Sequence, residues 1–465
     1  MKFFDALKGK KYFFSLENLF LVMALMFGSI IAFMCTPFQE CDGWEHFLRA
    51  VDVSYGNLFS PVATINHGSG QIIVPEDIDE VSFRLVEPAS GEGTAYSDYL
   101  KDNKPSKISR TMTFNGGVMS PFYYPQALGF LLGRILGVSW FACVALGRLF
   151  NLIAYAILAY LAIKITPVLK NTMITIALFP MTVYQAASFS PDALLNGLCF
   201  LFIALCFYYA YGKKEELGIK EPLTLGCILA LIFLCKYVYV FLGLLVFIIP
   251  KKKFGDNKQY FKKFMIALIP ILILGIIAVK TATAVISSGS AAAVADTAQI
   301  KTTMSPLQFL TSNPLNIFKV LFYTFCYKFS DYLLWLDTLG SLNYPLGPLI
   351  YIVPMFTLYV LGSECMSAEN EIRLRDKFIA LFAFAMVAVA VVLGIYIGDT
   401  RINFAGNYIV QGVQGRYFIA ALPAYALFFA PRGRTGKKWY SDYLLLLGDF
   451  FILCLAIYFL NGNCQ

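Results

Sequence analysis

Residues 222–250 read PLTLGCILALIFLCKYVYVFLGLLVFIIP, an apolar run of about 28 residues whose only charge is Lys236, with Lys213-Lys214 before it and Lys251-Lys252-Lys253 after it. As one helix it would rise ~42 Å and set the two basic clusters on opposite faces of a bilayer. Positive loops collect on one face, so the chain is expected to cross twice or to re-enter, turning near Lys236-Tyr237. Two halves of about 14 residues rise only ~21 Å each against a hydrocarbon core of ~30 Å, which predicts short or re-entrant helices. Irregular backbone at that depth is tolerated only beside protein or water, so a cavity is expected near Lys236.

The rest of the chain has the same character. Of 465 residues 58% are hydrophobic and 14% charged, against roughly 25% charged in a soluble domain, so most of the chain needs lipid as its solvent. Apolar runs fall near 19–35, 139–163, 171–188, 192–211, 222–235, 238–250, 264–280, 345–362, 378–397, 416–430 and 442–460. The expected fold is a single all-α polytopic membrane domain over 1–465 with about eleven transmembrane helices. The first run follows Lys2, Lys8, Lys10 and Lys11 and ends at Cys35-Thr36-Pro37-Phe38 without a small-x-small cleavage site, which reads as an uncleaved span. The segments around Lys164 to Lys170, Lys213-Lys214, Lys251 to Lys263, Arg373 to Lys377 and Arg432 to Lys438 are basic, like the N-terminus, and are expected to be cytoplasmic. That topology accounts for the net charge of +8 without a nucleic-acid partner.

Two long segments, 36–138 and 281–344, then face the other side, with a shorter one from Gly398 to Gly415. The first is expected to carry interfacial helices and a few short strands, with alternation at Val81-Ser82-Phe83-Arg84-Leu85-Val86. In the second, Thr281 to Thr303 reads as a mobile lid, and Pro314 to Trp335 as an aromatic amphipathic stretch suited to the interface. The eleven Cys are scattered without CxxC spacing or neighbouring His, which argues against a zinc or haem site, and the Cys35/Cys41 spacing does not establish a disulfide.

The densest polar cluster follows the first span: Glu40, Asp42, Glu45, His46 and Arg49. Asp42 sits at a helix start, where a carboxylate is favoured, and Asp42/His46 and Glu45/Arg49 are four residues apart. Two readings fit: an N-cap with surface ion pairs, or a catalytic carboxylate with an adjacent imidazole. Asp192 follows Ser190-Pro191, an N-cap followed by proline at the first helical position, so capping and ligand contact are both open there. Arg416 opens an apolar run after Gln414-Gly415, where snorkelling to the interface and anion binding are both open.

Four segments resemble one family. Pro37-Phe38-Gln39 with Asp42, Glu45-His46-Phe47 and Arg49-Ala50 resembles the P-D-E-x-x-H-F-x-R signature of domain-of-unknown-function family 2142, a group of bacterial polytopic membrane proteins. Tyr123 to Gly129 with Gly147-Arg148-Leu149-Phe150-Asn151, Phe179-Pro180-Met181-Thr182 with Gln185 to Ala193, and Gly412 to Phe418 resemble its later segments, as does Trp335-Leu336-Asp337-Thr338. In layout the family resembles glycosyltransferases of the GT-C type. The resemblance implies transfer of a sugar from a polyprenyl-phosphate donor to a cell-envelope glycan or lipid, on the extracytoplasmic face of the bacterial cytoplasmic membrane. It implies a catalytic carboxylate in the first external loop. Here Cys41 replaces the usual proline and Gly43 the usual acidic residue, leaving Asp42 alone at that pair unless Glu40 or Glu45 substitutes.

On this reading Asp42, His46 and Glu45 are the catalytic candidates, the carboxylate serving an acceptor hydroxyl and His46 orienting it or sharing its proton. A phosphate leaving group needs cations, for which Arg49, Lys236, Arg401 and Arg416 are candidates, with Asp192, Asp337, Gln414 and Tyr417 as further substrate contacts. No metal ligands are assigned, and the need for a divalent ion stays open. A transporter or flippase of lipid-linked saccharides, and a glycan polymerase or ligase, are the competing readings. Donor sugar, acceptor and oligomeric state are not legible in the sequence.

Overall fold

The first described helix, α1 (Leu16–Met34), starts on Ser15, whose hydroxyl accepts the Asn18 amide at 3.4 Å. The computed structural model describes residues 15–35, 37–58, 70–81, 99–114, 120–288, 304–335, 338–340, 344–364, 372–400, 402–431 and 440–463. After α1 come α2 (Gly43–Ser54), strands β1 (Gly70–Pro75) and β2 (Ser109–Phe114), and α3 (Tyr124–Leu136). Next are α4 (Trp140–Ile165), α5 (Lys170–Ala177), α6 (Pro180–Ala186), α7 (Asp192–Tyr211) and α8 (Lys220–Cys235). A 3-10 helix over Tyr237–Ile248 leads to α9 (Asn257–Ser288), α10 (Pro306–Ser312) and α11 (Leu315–Leu334). Strands β3 (Thr338–Leu339) and β4 (Tyr344–Pro345), α12 (Leu349–Ser363) and α13 (Leu374–Gly398) follow. A second 3-10 helix, Gly415–Ala421, runs into α14 (Leu422–Phe429), and α15 (Tyr440–Asn463) closes the described chain.

Among the described residues six helices are long and apolar enough to cross a membrane: α1, α4, α7, the 257–276 part of α9, α13 and most of α15. Three shorter apolar helices, Tyr237–Ile248, Leu349–Ser363 and Gly415–Phe429, join them. The chain is thus mostly helical, with its strands confined to two small antiparallel pairs, β1–β2 and β3–β4. Most of α7 is buried, while residues 257–276 of α9 bury none, so α7 is the central post and α9 a peripheral one. In lipid such packing rests on close contact between apolar side chains rather than on expulsion of water.

The stretch 171–188, expected as one span, is two short helices. Phe179 sits extended before Pro180, which lacks an amide to continue α5 and instead opens α6. The 222–250 run forms a hairpin. Gly243 packs against Leu229, and the Leu217 amide donates to the Lys253 carbonyl at 2.8 Å, so both ends meet with Lys236 at the tip. The arms match in length by different means: 16 residues of α8 at about 1.5 Å and 12 residues of 3-10 helix at about 2.0 Å each give ~24 Å.

Contacts define two ends. At the lower one Lys170 pairs with Glu17 at 3.5 Å, Asn171 donates to Asp442 at 2.7 Å, and the Thr172 amide to Glu364 at 2.8 Å. The upper end carries a lobe with its own core of Phe47, Ile72, Val74, Phe130 and Trp140. There the Trp140 ring N–H donates to Asp77 at 2.9 Å. The strands of this lobe are residues 70–75 and 109–114; Val81 ends a helical turn, and residues 82–86 of the expected alternation lie outside the described residues. Of the expected lid, 281–288 belong to α9 and 289–303 lie outside the described residues. Pro314 to Trp335 is helical, as α11 with Pro314 and Trp335 at its ends.

Candidate functional site

The turn after α1 is tightly folded. Phe38 and Asp42 both have left-handed backbones, at φ 69° and 58°. Glu40 is buried, one carboxylate oxygen accepting the Phe189 amide at 3.0 Å. A Cβ on residue 43 would lie 2.8 Å from the Phe38 carbonyl oxygen and 2.8 Å from Glu40 Cγ. Glycine is therefore what this turn accepts, which accounts for the departure from an acidic residue there. Asp42 occupies the cap position of α2, yet its carboxylate makes no capping bond and the residue is exposed. The capping expectation does not hold for it.

One helical turn on, the His46 Nδ1 meets the Tyr123 hydroxyl at 2.9 Å. His46 is half-buried. Burial pushes its pKa down to about 3, with Arg416 and Lys236 adding to the shift and Asp192 opposing it. The ring is neutral at physiological pH, and groups from α7, the hairpin tip and the Gly415 helix act on it.

Asp192, the first residue of α7, is one of those groups. Ser190 does accept the Asp192 amide, at 3.2 Å, but the Asp192 carboxylate turns away from the helix amides to Lys236, with which it forms an ion pair, and to Gln185 Nε2 at 3.2 Å. Asn196 Nδ2 then holds Gln185 from behind at 3.2 Å. The turn itself is gripped by residues of the resembling segments. Gln126 donates to Phe189 O at 3.2 Å, and Asn151 to Ser188 O and Ser190 O at 2.8 and 3.0 Å. Arg148 donates to Ala187 O at 2.7 Å and to Ala32 O and Cys35 O at 2.8 and 3.0 Å, tying the end of α1 to the same turn.

Lys236, at the hairpin tip, also lies over the Tyr417 ring, 4.7 Å from its centroid. The Tyr417 carbonyl is fixed by the Tyr239 hydroxyl at 2.6 Å. Arg416 is buried between Trp335 and Tyr417, at 5.6 and 5.5 Å from the ring centroids, and its Nε donates to Gln414. Its buried, anchored guanidinium is not a snorkelling side chain. Gly415 lets this helix close on α11, because any side chain there would fall on the Tyr332 carbonyl. Charges on Asp42, Asp192, Lys236 and Arg416 all act on the Tyr417 hydroxyl, and Cys41 lies within electrostatic reach of Arg416.

Asp42, His46, Asp192, Lys236, Gln414, Arg416 and Tyr417 therefore converge. Glu45 is half-buried in the first turn of α2. Arg49 lies beside the cluster: it is buried, paired with Asp52 at 3.2 Å and bonded to Ser120 at 3.2 Å, and it interacts electrostatically with Tyr123. Asp337 and Arg401 lie outside the described residues. Gln185, Asn196, Tyr123 and Trp335 are additions; Gln185, Tyr123 and Trp335 stand inside segments already singled out, though nothing in the sequence pairs Tyr123 with His46. No group of three or more His, Cys, Asp or Glu suited to hold a metal occurs among the described residues. The cluster sets two cations, Lys236 and Arg416, against two carboxylates, Asp42 and Asp192, and Lys236 and Asp192 are paired with each other.

Comparison with curated proteins and with solved structures finds no match. The family model described as "Predicted membrane protein (DUF2142)" matches residues 25–424, a span that holds every residue of the cluster, and the chain belongs to that family of membrane proteins.

Proposed function

We propose that the protein is a membrane glycosyltransferase that moves a sugar from a polyprenyl-phosphate carrier to a cell-envelope glycan or lipid. On this reading the chain crosses the bacterial cytoplasmic membrane about eleven times in a GT-C-like layout. Its N-terminus and basic lower end are cytoplasmic and the polar cluster extracytoplasmic. The observation that carries the proposal is the meeting, in one cluster of interacting charges, of the Asp42 and His46 turn with the cations Lys236 and Arg416 from distant helices.

The chemistry follows from those groups. The acceptor oxygen forms a bond to the anomeric carbon as that carbon's bond to the phosphate oxygen breaks, an inverting displacement. The acceptor proton passes to the Asp42 carboxylate, with the neutral His46 imidazole, fixed by Tyr123, orienting the pair. The charge gathering on the departing phosphate is met by Arg416 and Lys236, which stand ready in a site of restricted water. No step as written calls on a divalent ion, and whether one assists stays open.

Transfer from a polyprenyl-phosphate sugar by membranes carrying Asp42→Asn tests the reading. Loss of a general base predicts a rate drop on the order of 10²–10⁴ with folding intact. Unchanged turnover would remove Asp42 from catalysis. Translocation of a lipid-linked saccharide across vesicles, indifferent to the same substitution, would instead identify a flippase.

A further inference from the structure

At the lower end, away from the His46 and Asp192 cluster, a shallow open groove of about 620 Å³ runs between the Tyr237–Ile248 helix and α13, lined by Leu244, Phe247, Arg375, Phe378, Ile379 and Phe382. Five of these six are apolar, and Phe247, Phe378 and Phe382 are exposed, which in a bilayer means open to lipid. The single polar member closes one end. Arg375 Nη2 donates to the Phe247 carbonyl at 3.0 Å and its Nε to Asp376 at 3.1 Å, leaving the guanidinium about half exposed. Asp376 is fully buried and shared with Arg373, at 3.2 Å, and with the Tyr211 hydroxyl, at 3.2 Å. Lys251 and Lys252, exposed four and five residues beyond Phe247, add to the charge at this end. Two arginines thus share one buried carboxylate beside an apolar channel, a surplus of positive charge among the groups shown there.

We propose that this groove binds an anionic phospholipid, its acyl chain along Phe247, Phe378 and Phe382 and its phosphodiester at Arg375. A free phosphate would use only the charged end and leave the apolar channel unfilled. A zwitterionic lipid would fill the channel but bring a cationic group to a cluster that already has cations in excess. The anionic lipid satisfies both halves, and the assignment stands independently of the sugar-transfer reading.

The test uses the full chain in nanodiscs of equal parts phosphatidylglycerol and phosphatidylcholine, with retained lipid counted by native mass spectrometry after delipidation. A basic side chain near a membrane surface contributes about 1 kcal/mol to anionic-lipid binding, so Arg375→Gln, which keeps a donor for Phe247, is expected to lower phosphatidylglycerol retention about fivefold. Arg375→Lys is expected to keep most of it. Lys258→Ala, an exposed cation on α9, is expected to change nothing. Phe378→Ala with Phe382→Ala is expected to lower retention of both lipids. Equal losses for Arg375→Gln and Lys258→Ala would reduce the effect to general surface attraction, and no loss in either, or none on removing the two rings, would overturn the assignment.

Discussion

Gly43 stands where the family pattern carries an acid, and the turn explains why one is not accommodated here. Its missing side chain is the space into which Glu40 folds to hold the Phe189 amide. Restoring the acid as Gly43→Glu is expected to cost about 1–3 kcal/mol, as overpacking does, and to lower the unfolding midpoint in detergent without gain in transfer. An unchanged midpoint with faster transfer would show that the second carboxylate belongs there. His46 gives a pH dependence. Its imidazole takes a proton near pH 6.5 when unfolded and near 3 in the fold, so between those values the unfolded chain holds more protons and stability rises with pH. This contribution is complete above about pH 6.5 and declines by about 1.4 kcal/mol per unit as pH falls toward 3. The midpoint difference between wild type and His46→Gln should trace that slope, and a flat difference would place the ring in water. Asp42, His46 and Arg416 were legible because each belongs to a compact segment of chain. Arg49 pairs with Asp52, three residues on, a helical partner that the spacing already offered. Tyr123 was hidden because its bond to His46 spans 77 positions.

The hairpin was legible as an element because charge bookkeeping works on any apolar run: equal signs at both ends require an even number of passages. What hydropathy does not distinguish is α from 3-10 coiling, since both bury the same side chains. The break within 171–188 did have a signal, Pro180, outweighed by the continuity of the apolar run. At the tip, Lys236 joins the hairpin to α7 through Asp192, whose carboxylate is almost wholly buried. Lys236→Met strands that carboxylate and is expected to destabilise by roughly 3–5 kcal/mol, as breaking a buried pair does. Adding Asp192→Asn should recover part of the loss. A double variant as unstable as the sum of the singles would mean that the two groups do not interact.

For the molecule as a whole, the lower-end contacts and the upper lobe predict sidedness. With an impermeant maleimide, Lys213→Cys and Lys251→Cys should label from one side of sealed vesicles and Lys104→Cys in the upper lobe from the other, with mass spectrometry locating each adduct. Labelling of positions 213 and 251 from opposite sides would break the hairpin topology. Helical class was readable from end to end because lipid imposes it on every span. The joining of α2, α7, the hairpin and the Gly415 helix was not, because it depends on which spans are neighbours. The Tyr237–Ile248 segment adds one geometric consequence. Wound as an α-helix, its 12 residues would cover ~18 Å instead of ~24 Å. The pitch of one segment thus sets how far the Lys236 ammonium extends, like the draw of a telescope, and a few ångströms of slack there would disengage it from Asp192.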